Sequence, residues 1–172
     1  MHRTQWWTLA ALACVAIVIP RNARAADISG LVSTTRVITD NSRLVGDVTC
    51  TVTGGPCIMF GESHIELRLN GFTMTGQAGP DGCGGARVAN EHGISSNGQT
   101  DVGVRGPGIV QRFRASGILF TGTLLGGVEW VTATTNCESG IRVNPTSSKI
   151  NVGANIATRN GTTDPGSPCG GI

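Results

Sequence analysis

The chain lacks tyrosine, has a single lysine and contains few aromatic side chains of any kind. Aromatic residues make up 4% of its 172 residues, and charged residues only 14%. It has no basic patch of the kind that nucleic-acid-binding proteins carry. Its longest apolar stretch, Trp6 to Ile19, is shorter than the roughly 20 residues that a membrane-spanning helix needs. These absences argue against a nucleic-acid partner and against a membrane span.

The N-terminus has the pattern of a secretory signal peptide. Arg3 supplies a positive charge, the apolar stretch follows, and Ala23-Arg24-Ala25 matches a small-residue cleavage site. We therefore predict that residues 1–25 are removed and that residues 26–172 form one secreted domain, extracellular or periplasmic. A lipid-modified Cys14 is the alternative, because Leu12-Ala13-Cys14 loosely resembles a lipobox. The predicted mature domain has ten basic residues against eleven acidic ones, so the basic excess lies in the leader.

A Gly-Ile dipeptide recurs along the rest of the chain. It begins at Gly93, Gly117, Gly140 and Gly171, so the first two steps are 24 and 23 residues long. The third step is 31 residues and contains a polar, proline-containing loop over 162–169. A period of this length indicates stacked repeat units.

Within each repeat, apolar residues alternate with polar ones. Ile65, Leu67 and Leu69 alternate, Asn70-Gly71 turns the chain, and alternation resumes after the turn. No sustained helical periodicity follows residue 26. Short strands at this spacing predict a β-solenoid in which each strand pairs in parallel with its counterpart about 4.8 Å away. About five coils fit, and the chain stops where another should begin, which predicts a truncated solenoid or part of a longer one.

The runs TRVITD at 35–40, LVGDVTC at 44–50 and IELRLNGFTMTG at 65–76, followed by the Gly-Ile repeats, resemble secreted proteins of the pectin-lyase-like superfamily. This resemblance covers roughly residues 30–172 and implies a right-handed parallel β-helix without a cofactor. It implies an exported module with no assigned reaction and with a polysaccharide or cell-surface glycan as partner. The alternatives are a polysaccharide lyase or glycoside hydrolase that is incomplete in this chain, and a structural or adhesive solenoid.

Five cysteines remain after the predicted cleavage. Cys50 and Cys57 flank a Gly-Gly-Pro turn, and Cys137 and Cys169 precede successive Gly-Ile repeats, so we predict that each of these pairs forms a disulfide. Cys83 is then free or paired outside the chain. None of the spacings matches a zinc motif, and no metal site is predicted.

A polar face is predicted on the outside of one sheet. Aligning the repeats places His64, Asp101, Gly127 and Lys149 in one outward row, Glu66, Gly103, Glu129 and Asn151 in a second, and Arg68 and Arg105 in a third. Glu66 and Asp101 are the candidate acid pair for a hydrolase, and an arginine is the candidate base for a lyase. The alternative is that these groups form solvated ion pairs across the strands. His64, Glu66, Arg68, Asp101 and Arg105 are thus weak catalytic candidates.

The insertion that follows Gly79 is the other candidate region. Insertions in solenoids gather on one face, so Arg87, Glu91 and His92, together with Glu129 on the polar face, are candidate binding residues. Asn136 and Asn160 precede successive Gly-Ile repeats and predict a stacked asparagine ladder. Trp130 lies in a strand and is predicted to belong to the core.

Overall fold

The computed structural model describes residues 25–80, 83 and 87–161, and this part of the chain contains strands but no helix. It therefore contains no helix that could cross a bilayer. Residues 1–24 of the predicted leader and the last Gly-Ile repeat lie outside the described residues. The strands are β1 Ala26–Val32, β2 Arg36–Ile38, β3 Ser42–Cys50, β4 Ile58–Phe60, β5 Glu66–Arg68, β6 Thr73–Thr75, β7 Ile94–Asn97, β8 Thr100–Gln111, β9 Ile118–Thr121, β10 Leu124–Thr134, β11 Ile141–Val143, β12 Ser148–Gly153 and β13 Ile156–Thr158.

The strands form two sheets, and the pairing between strands is parallel. The larger sheet has the order β1-β3-β5-β8-β10-β12, with β6 beside β3 and β8 and with β13 beside β10. The smaller sheet has the order β11-β9-β7-β4-β2. Each strand thus pairs with the corresponding strand of the neighbouring repeat. The predicted all-β architecture with parallel pairing is confirmed, and it is consistent with a parallel β-solenoid.

The Gly-Ile repeats place one isoleucine column inside the molecule. Ile94 pairs with Ile58 and with Ile118, and Ile118 pairs with Ile141. All four side chains are fully buried. Burying a side chain of this size contributes about 1.5–3 kcal/mol, so the column accounts for a substantial part of the folding free energy. Two further buried columns from the larger sheet complete the core: Leu67, Val104 and Val128, and Met74, Val110 and Ala133.

The predicted asparagine ladder is present at one corner. Asn136 Nδ2 donates to Asn160 Oδ1 at 3.0 Å and to the carbonyl of Val110 at 3.1 Å. Asn160 Nδ2 donates in turn to the carbonyl of Ala133 at 2.9 Å. Both asparagines are buried, so these bonds satisfy polar groups that water cannot reach.

Other corners are built from residues that are not glycine. His64, Asp101, Leu125 and Lys149 lie at the same position of successive repeats, and their φ angles are 62°, 55°, 58° and 55°. A left-handed conformation costs such residues about 1–2 kcal/mol each, which stacking against the neighbouring repeats must offset. This column forms one rim of the groove described below.

Two disulfides occur within the described residues. Cys50 bonds to Cys57 with a Cα–Cα distance of 5.9 Å, which confirms the predicted pair. Cys137 bonds to Cys83 at 4.8 Å, so the predicted Cys137–Cys169 pair is wrong and Cys83 is not free. Cys83 lies in the insertion, which has no counterpart in the other repeats, so repeat alignment does not reveal this pair. Cys169 lies outside the described residues.

Candidate functional site

A groove of ≈ 420 Å³ runs across the outer face of the larger sheet. It crosses β5, β8, β10 and β12 near their N-terminal ends. The groove therefore brings together side chains that are far apart in the sequence. Its lining residues include Asn41, His64, Glu66, Asp101, Gly103, Arg105, Leu125, Gly127, Glu129, Lys149 and Asn151.

The strand register corrects two of the predicted outward rows. Gly127 pairs with Gly103 and Asn151, so it belongs to the row of Glu66 and not to the row of His64 and Asp101. Glu129 pairs with Arg105, so it lies in the third row. The repeat keeps a 24-residue offset as far as Glu129, and the irregularity in β10 comes only after that residue. The position of Gly127 in the first row is taken by Leu125.

Two glycines form the floor of the groove. A Cβ atom added to Gly103 would lie 3.6 Å from Glu66 Cγ, and one added to Gly127 would lie 3.7 Å from the carbonyl of Asn151. These are ordinary van der Waals contacts, and neither residue has a positive φ. Glycine in a strand costs about 0.5–1 kcal/mol relative to alanine. Neither packing nor backbone conformation requires glycine here, and its effect is to keep the groove open.

A chain of ion pairs connects the second and third rows. Glu66 accepts hydrogen bonds from Arg68 Nε at 2.6 Å and from Arg105 Nε at 2.8 Å. Arg105 also pairs with Glu129, whose second oxygen accepts from Asn151 Nδ2 at 2.8 Å. The carboxylates are about three-quarters buried, whereas the arginines are half exposed or more. The predicted cross-strand ion pairs are therefore present.

These contacts fix the protonation of the central groups. Burial alone would raise the pKa of Glu66, but the hydrogen bonds and charges of Arg68 and Arg105 outweigh burial and lower it. The hydrogen bond to Glu66 and the charge of Glu129 raise the pKa of Arg105. At neutral pH, Glu66 is therefore an anion and Arg105 a cation. Neither group is poised to donate or remove a proton.

The first row holds two different arrangements. His64 Nδ1 lies 3.1 Å from Asp101 Oδ2, and both side chains are largely exposed. The side chain of Lys149 forms no hydrogen bond or ion pair with any residue that the structure describes. It is therefore a groove-lining cation whose charge is available to a ligand.

Trp130 is exposed over 64% of its surface, so its predicted place in the core is wrong. It lies at the irregularity between Glu129 and Val131, and its φ is 61°. A left-handed residue at this point interrupts the in-and-out alternation on which the prediction depended. Trp130 directly follows Glu129 and so lies at the edge of the third row.

The insertion candidates lie at a buried ionic cluster. Glu91 and His92 are 4% and 7% exposed, so they do not face solvent as expected of a binding loop. Glu91 accepts hydrogen bonds from Arg114 Nε at 2.5 Å, from Arg114 Nη2 at 2.9 Å and from the backbone of Gly54 at 2.9 Å. This carboxylate thus joins the loop closed by Cys50–Cys57 to the next repeat.

Glu138 is the second buried carboxylate of the cluster. It accepts from Arg87 at 2.7 Å, from Ser116 Oγ at 3.0 Å and from Arg142 at 3.2 Å. The backbone N–H of Ser116 donates to His92 Nδ1 at 3.1 Å. The geometry holds the repeats together and leaves no reactive hydroxyl or imidazole facing solvent.

Arg114, Ser116 and Glu138 were not among the candidates predicted from sequence. A signal for the carboxylates exists, since Glu91 and Glu138 each lie two residues before a Gly-Ile repeat. Residues at equal offsets from the repeat stack at the same corner. Equal spacing does not reveal, however, that both carboxylates are buried.

No group of three or more His, Cys, Asp or Glu side chains is placed to hold a metal ion within 25–80, 83 and 87–161. Of the groove carboxylates, Glu66 and Glu129 are instead paired with arginines, and Asp101 lies beside His64.

We predict that the protein loses stability on acidification in two stages. Burial, reinforced by Arg142, lowers the pKa of His92 despite the nearby charge of Glu138. Stability should therefore fall as the pH drops below the ordinary histidine pKa of about 6.5. The pKa of Glu138 is also lowered, because hydrogen bonds from Arg87 and Ser116 and the charge of Arg87 outweigh its burial. Glu138 and Glu66 should add a second loss as the pH falls below about 4.3, the ordinary glutamate value.

Urea midpoints measured across this range test the prediction. His92→Gln keeps an acceptor for the Ser116 N–H and should remove the first stage only. His64→Gln, at an exposed position, is the matched control and should leave both stages in place. A first stage that survives in His92→Gln would contradict the assignment.

Comparison of the chain with protein-family models, with curated proteins and with solved structures finds no match. The resemblance to pectin-lyase-like proteins therefore stays a prediction.

Proposed function

We propose that the protein is an exported right-handed parallel β-helix of the pectin-lyase-like type, whose groove binds a glycan without turning it over. Repeats of about 24 residues that pair in parallel support the β-helix, and two disulfides, which oxidising compartments favour, support export. Right-handedness follows from the general preference of crossovers between parallel strands of one sheet.

The glycine floor is the observation on which the binding proposal depends. Gly103 and Gly127 leave an open trough between the first and third rows, although a Cβ atom would make only ordinary contacts at both positions. The trough crosses successive strands about 4.8 Å apart, so an extended chain can contact one repeat after another. Hydrogen-bonding groups along both rims suit a ligand rich in hydroxyl groups, as a polysaccharide is.

Binding without turnover is favoured by the protonation states. A glycoside hydrolase needs a carboxylic acid whose pKa is raised, whereas the pKa of Glu66 is lowered. A lyase needs a base, whereas Arg105 is held as a cation by Glu66 and Glu129. Lys149 remains available to pair with a carboxylate or sulfate of an acidic glycan.

The enzyme alternative has one observation in its favour. The 3.1 Å contact of His64 with Asp101 resembles a base held by an orienting carboxylate, at the rim of the same groove. An assay for this pair therefore belongs in the same experiment.

The full chain should be tested against a panel of neutral and acidic polysaccharides, with binding measured by calorimetry and turnover by unsaturated products and reducing ends. We expect binding to at least one polymer, weaker binding in Lys149→Ala, and no turnover. Arg36→Ala removes an exposed cation from the other sheet and is the matched control. Turnover that is lost in His64→Gln, Asp101→Asn or Glu66→Gln would overturn the proposal and establish the enzyme. Absence of binding to every polymer would also overturn it.

A further inference from the structure

The aromatic side chains of the described residues are distributed unevenly between core and surface. Phe60, Phe113 and Phe120 are buried, and Phe72 packs against the core. Trp130 alone among them is largely exposed, over 64% of its surface. A single exposed apolar residue carries little weight by itself, because much of any protein surface is apolar. The backbone and the surroundings of Trp130 are therefore what matter.

The backbone conformation that exposes Trp130 is unfavourable. Its φ of 61° is left-handed, a region that glycine adopts readily and a bulky residue does not. The neighbouring repeat must carry glycine beside it, since a Cβ atom added to Gly106 would clash with the carbonyl oxygen of Trp130. Strained residues and strand irregularities gather at binding sites, where they turn a side chain toward a ligand. Trp130 has both features.

Trp130 lies directly beside the groove. Glu129, the residue before it, lines the groove and pairs with Arg105 of the neighbouring repeat. Gly106 follows Arg105 and has no side chain, and Pro107 after it is exposed. The third row of the groove, which offers charged and hydrogen-bonding groups, thus has an apolar border made of Pro107 and Trp130.

We infer that Trp130 is an aromatic platform on which one pyranose ring of the bound glycan stacks. This inference rests on the proposed function of the groove and adds a ring-stacking subsite to it. A pyranose has an apolar face of C–H groups and an edge of hydroxyl groups, so an aromatic ring beside polar side chains matches it. Here Trp130 supplies the ring, and Arg105 and Glu129 supply groups that bond to hydroxyls.

A nucleobase is the other ring that would stack on a tryptophan. The charges of the groove do not favour it, because the carboxylates of Glu66, Asp101 and Glu129 would repel a phosphate backbone. Arg105 does not offset this repulsion, since it is already paired with Glu66 and Glu129. The hydroxyl groups of a sugar bond to carboxylates as well as to cations, so a sugar fits this mixture of charges better.

Calorimetric titration of the full chain with hexasaccharides of cellulose, chitin, alginate and polygalacturonate tests the inference. For the saccharide that wild type binds most tightly, we expect Trp130→Ala to lower the affinity by roughly 10- to 30-fold, as the loss of a tryptophan hot spot does. Trp130→Phe keeps an aromatic ring and should retain most of the affinity. Leu31→Ala is the matched control, because Leu31 is 68% exposed on β1 and does not line the groove, and it should bind as wild type does.

Tryptophan fluorescence gives a second readout, which holds even if Trp130→Ala does not fold. Binding should shift the emission of wild type to shorter wavelength but not that of Trp130→Phe, which keeps Trp6 and Trp7 of the predicted leader. Saccharide binding that is equally tight in Trp130→Ala, or that leaves the emission unchanged, would overturn the platform while the groove proposal stands. Absence of saccharide binding by wild type would overturn both. An emission shift with a single-stranded oligonucleotide and with no saccharide would assign the platform to nucleobases instead.

Discussion

Ile118→Asp is expected to unfold the protein. Ile118 is fully buried and pairs with Ile94 on one side and with Ile141 on the other. The substitution removes about 1.5–3 kcal/mol of apolar burial and places a carboxylate among buried apolar side chains. The free energy of unfolding should fall by more than about 4 kcal/mol, which is comparable with the whole stability of a small domain. Urea denaturation followed by circular dichroism measures it.

Val37→Asp is the matched control for this variant. Val37 lies in β2 of the same sheet and is 49% exposed, so a carboxylate there keeps its water. We expect the free energy of unfolding to change by no more than about 0.5 kcal/mol, as at most surface sites. Similar losses in the two variants would mean that the inward column is assigned wrongly.

Arg114→Met is expected to cause the second-largest loss. The substitution removes both side-chain hydrogen bonds from Glu91, whose carboxylate is 5% exposed, and leaves it, among the described residues, with the Gly54 backbone donor. Removing one partner of a buried ion pair typically costs about 3–5 kcal/mol, because the other charge stays buried and uncompensated. Urea midpoints again provide the measurement.

Two comparisons separate this effect from a general loss of packing. The double variant Glu91→Gln/Arg114→Met removes the stranded charge and should recover part of the stability. Arg43→Met breaks the exposed pair with Asp27, where both side chains are 52% exposed, and should change little. If the double variant is no more stable than Arg114→Met, the uncompensated charge is not the cause.

The repeat architecture is predictable because its signal is periodic. Ile94, Ile118 and Ile141 recur at nearly equal spacing, and equal spacing with alternation specifies parallel stacking of strands with one face inward. The asparagine ladder is predictable for the same reason. Both features depend only on which residues fall at the same position of successive repeats.

Departures from the period could not be predicted from the sequence. The irregularity after Glu129 turns Trp130 outward, although simple alternation places it in the core. An offset between repeats that is wrong by two residues likewise places Gly127 in the first row instead of the second, and Glu129 in the second instead of the third. Cys83 reaches Cys137 through an insertion that has no counterpart in the other repeats, so no alignment of repeats pairs them.

The candidate site was predictable in composition but not in chemistry. His64, Glu66, Arg68, Asp101 and Arg105 do share one outer face. Which carboxylate each arginine contacts depends on register and on rotamers. The contacts of Arg68 and Arg105 lower the pKa of Glu66 and so keep it an anion. The glycine floor of the groove could not be predicted either, because the sequence does not reveal whether packing requires a glycine.

Affinity of Gly127→Leu for the glycan that wild type binds most tightly is the most direct test of the groove. The φ angle of Gly127 is not positive and a Cβ atom there makes only ordinary contacts, so we expect a leucine to be accepted without backbone strain and to occupy the trough. Gly153→Leu is the matched control, since Gly153 lies in the neighbouring strand, is equally free to carry a side chain and does not line the groove. We predict that calorimetric titration shows binding lost in Gly127→Leu and unchanged in Gly153→Leu, with both variants folded. Undiminished affinity in Gly127→Leu would contradict the account.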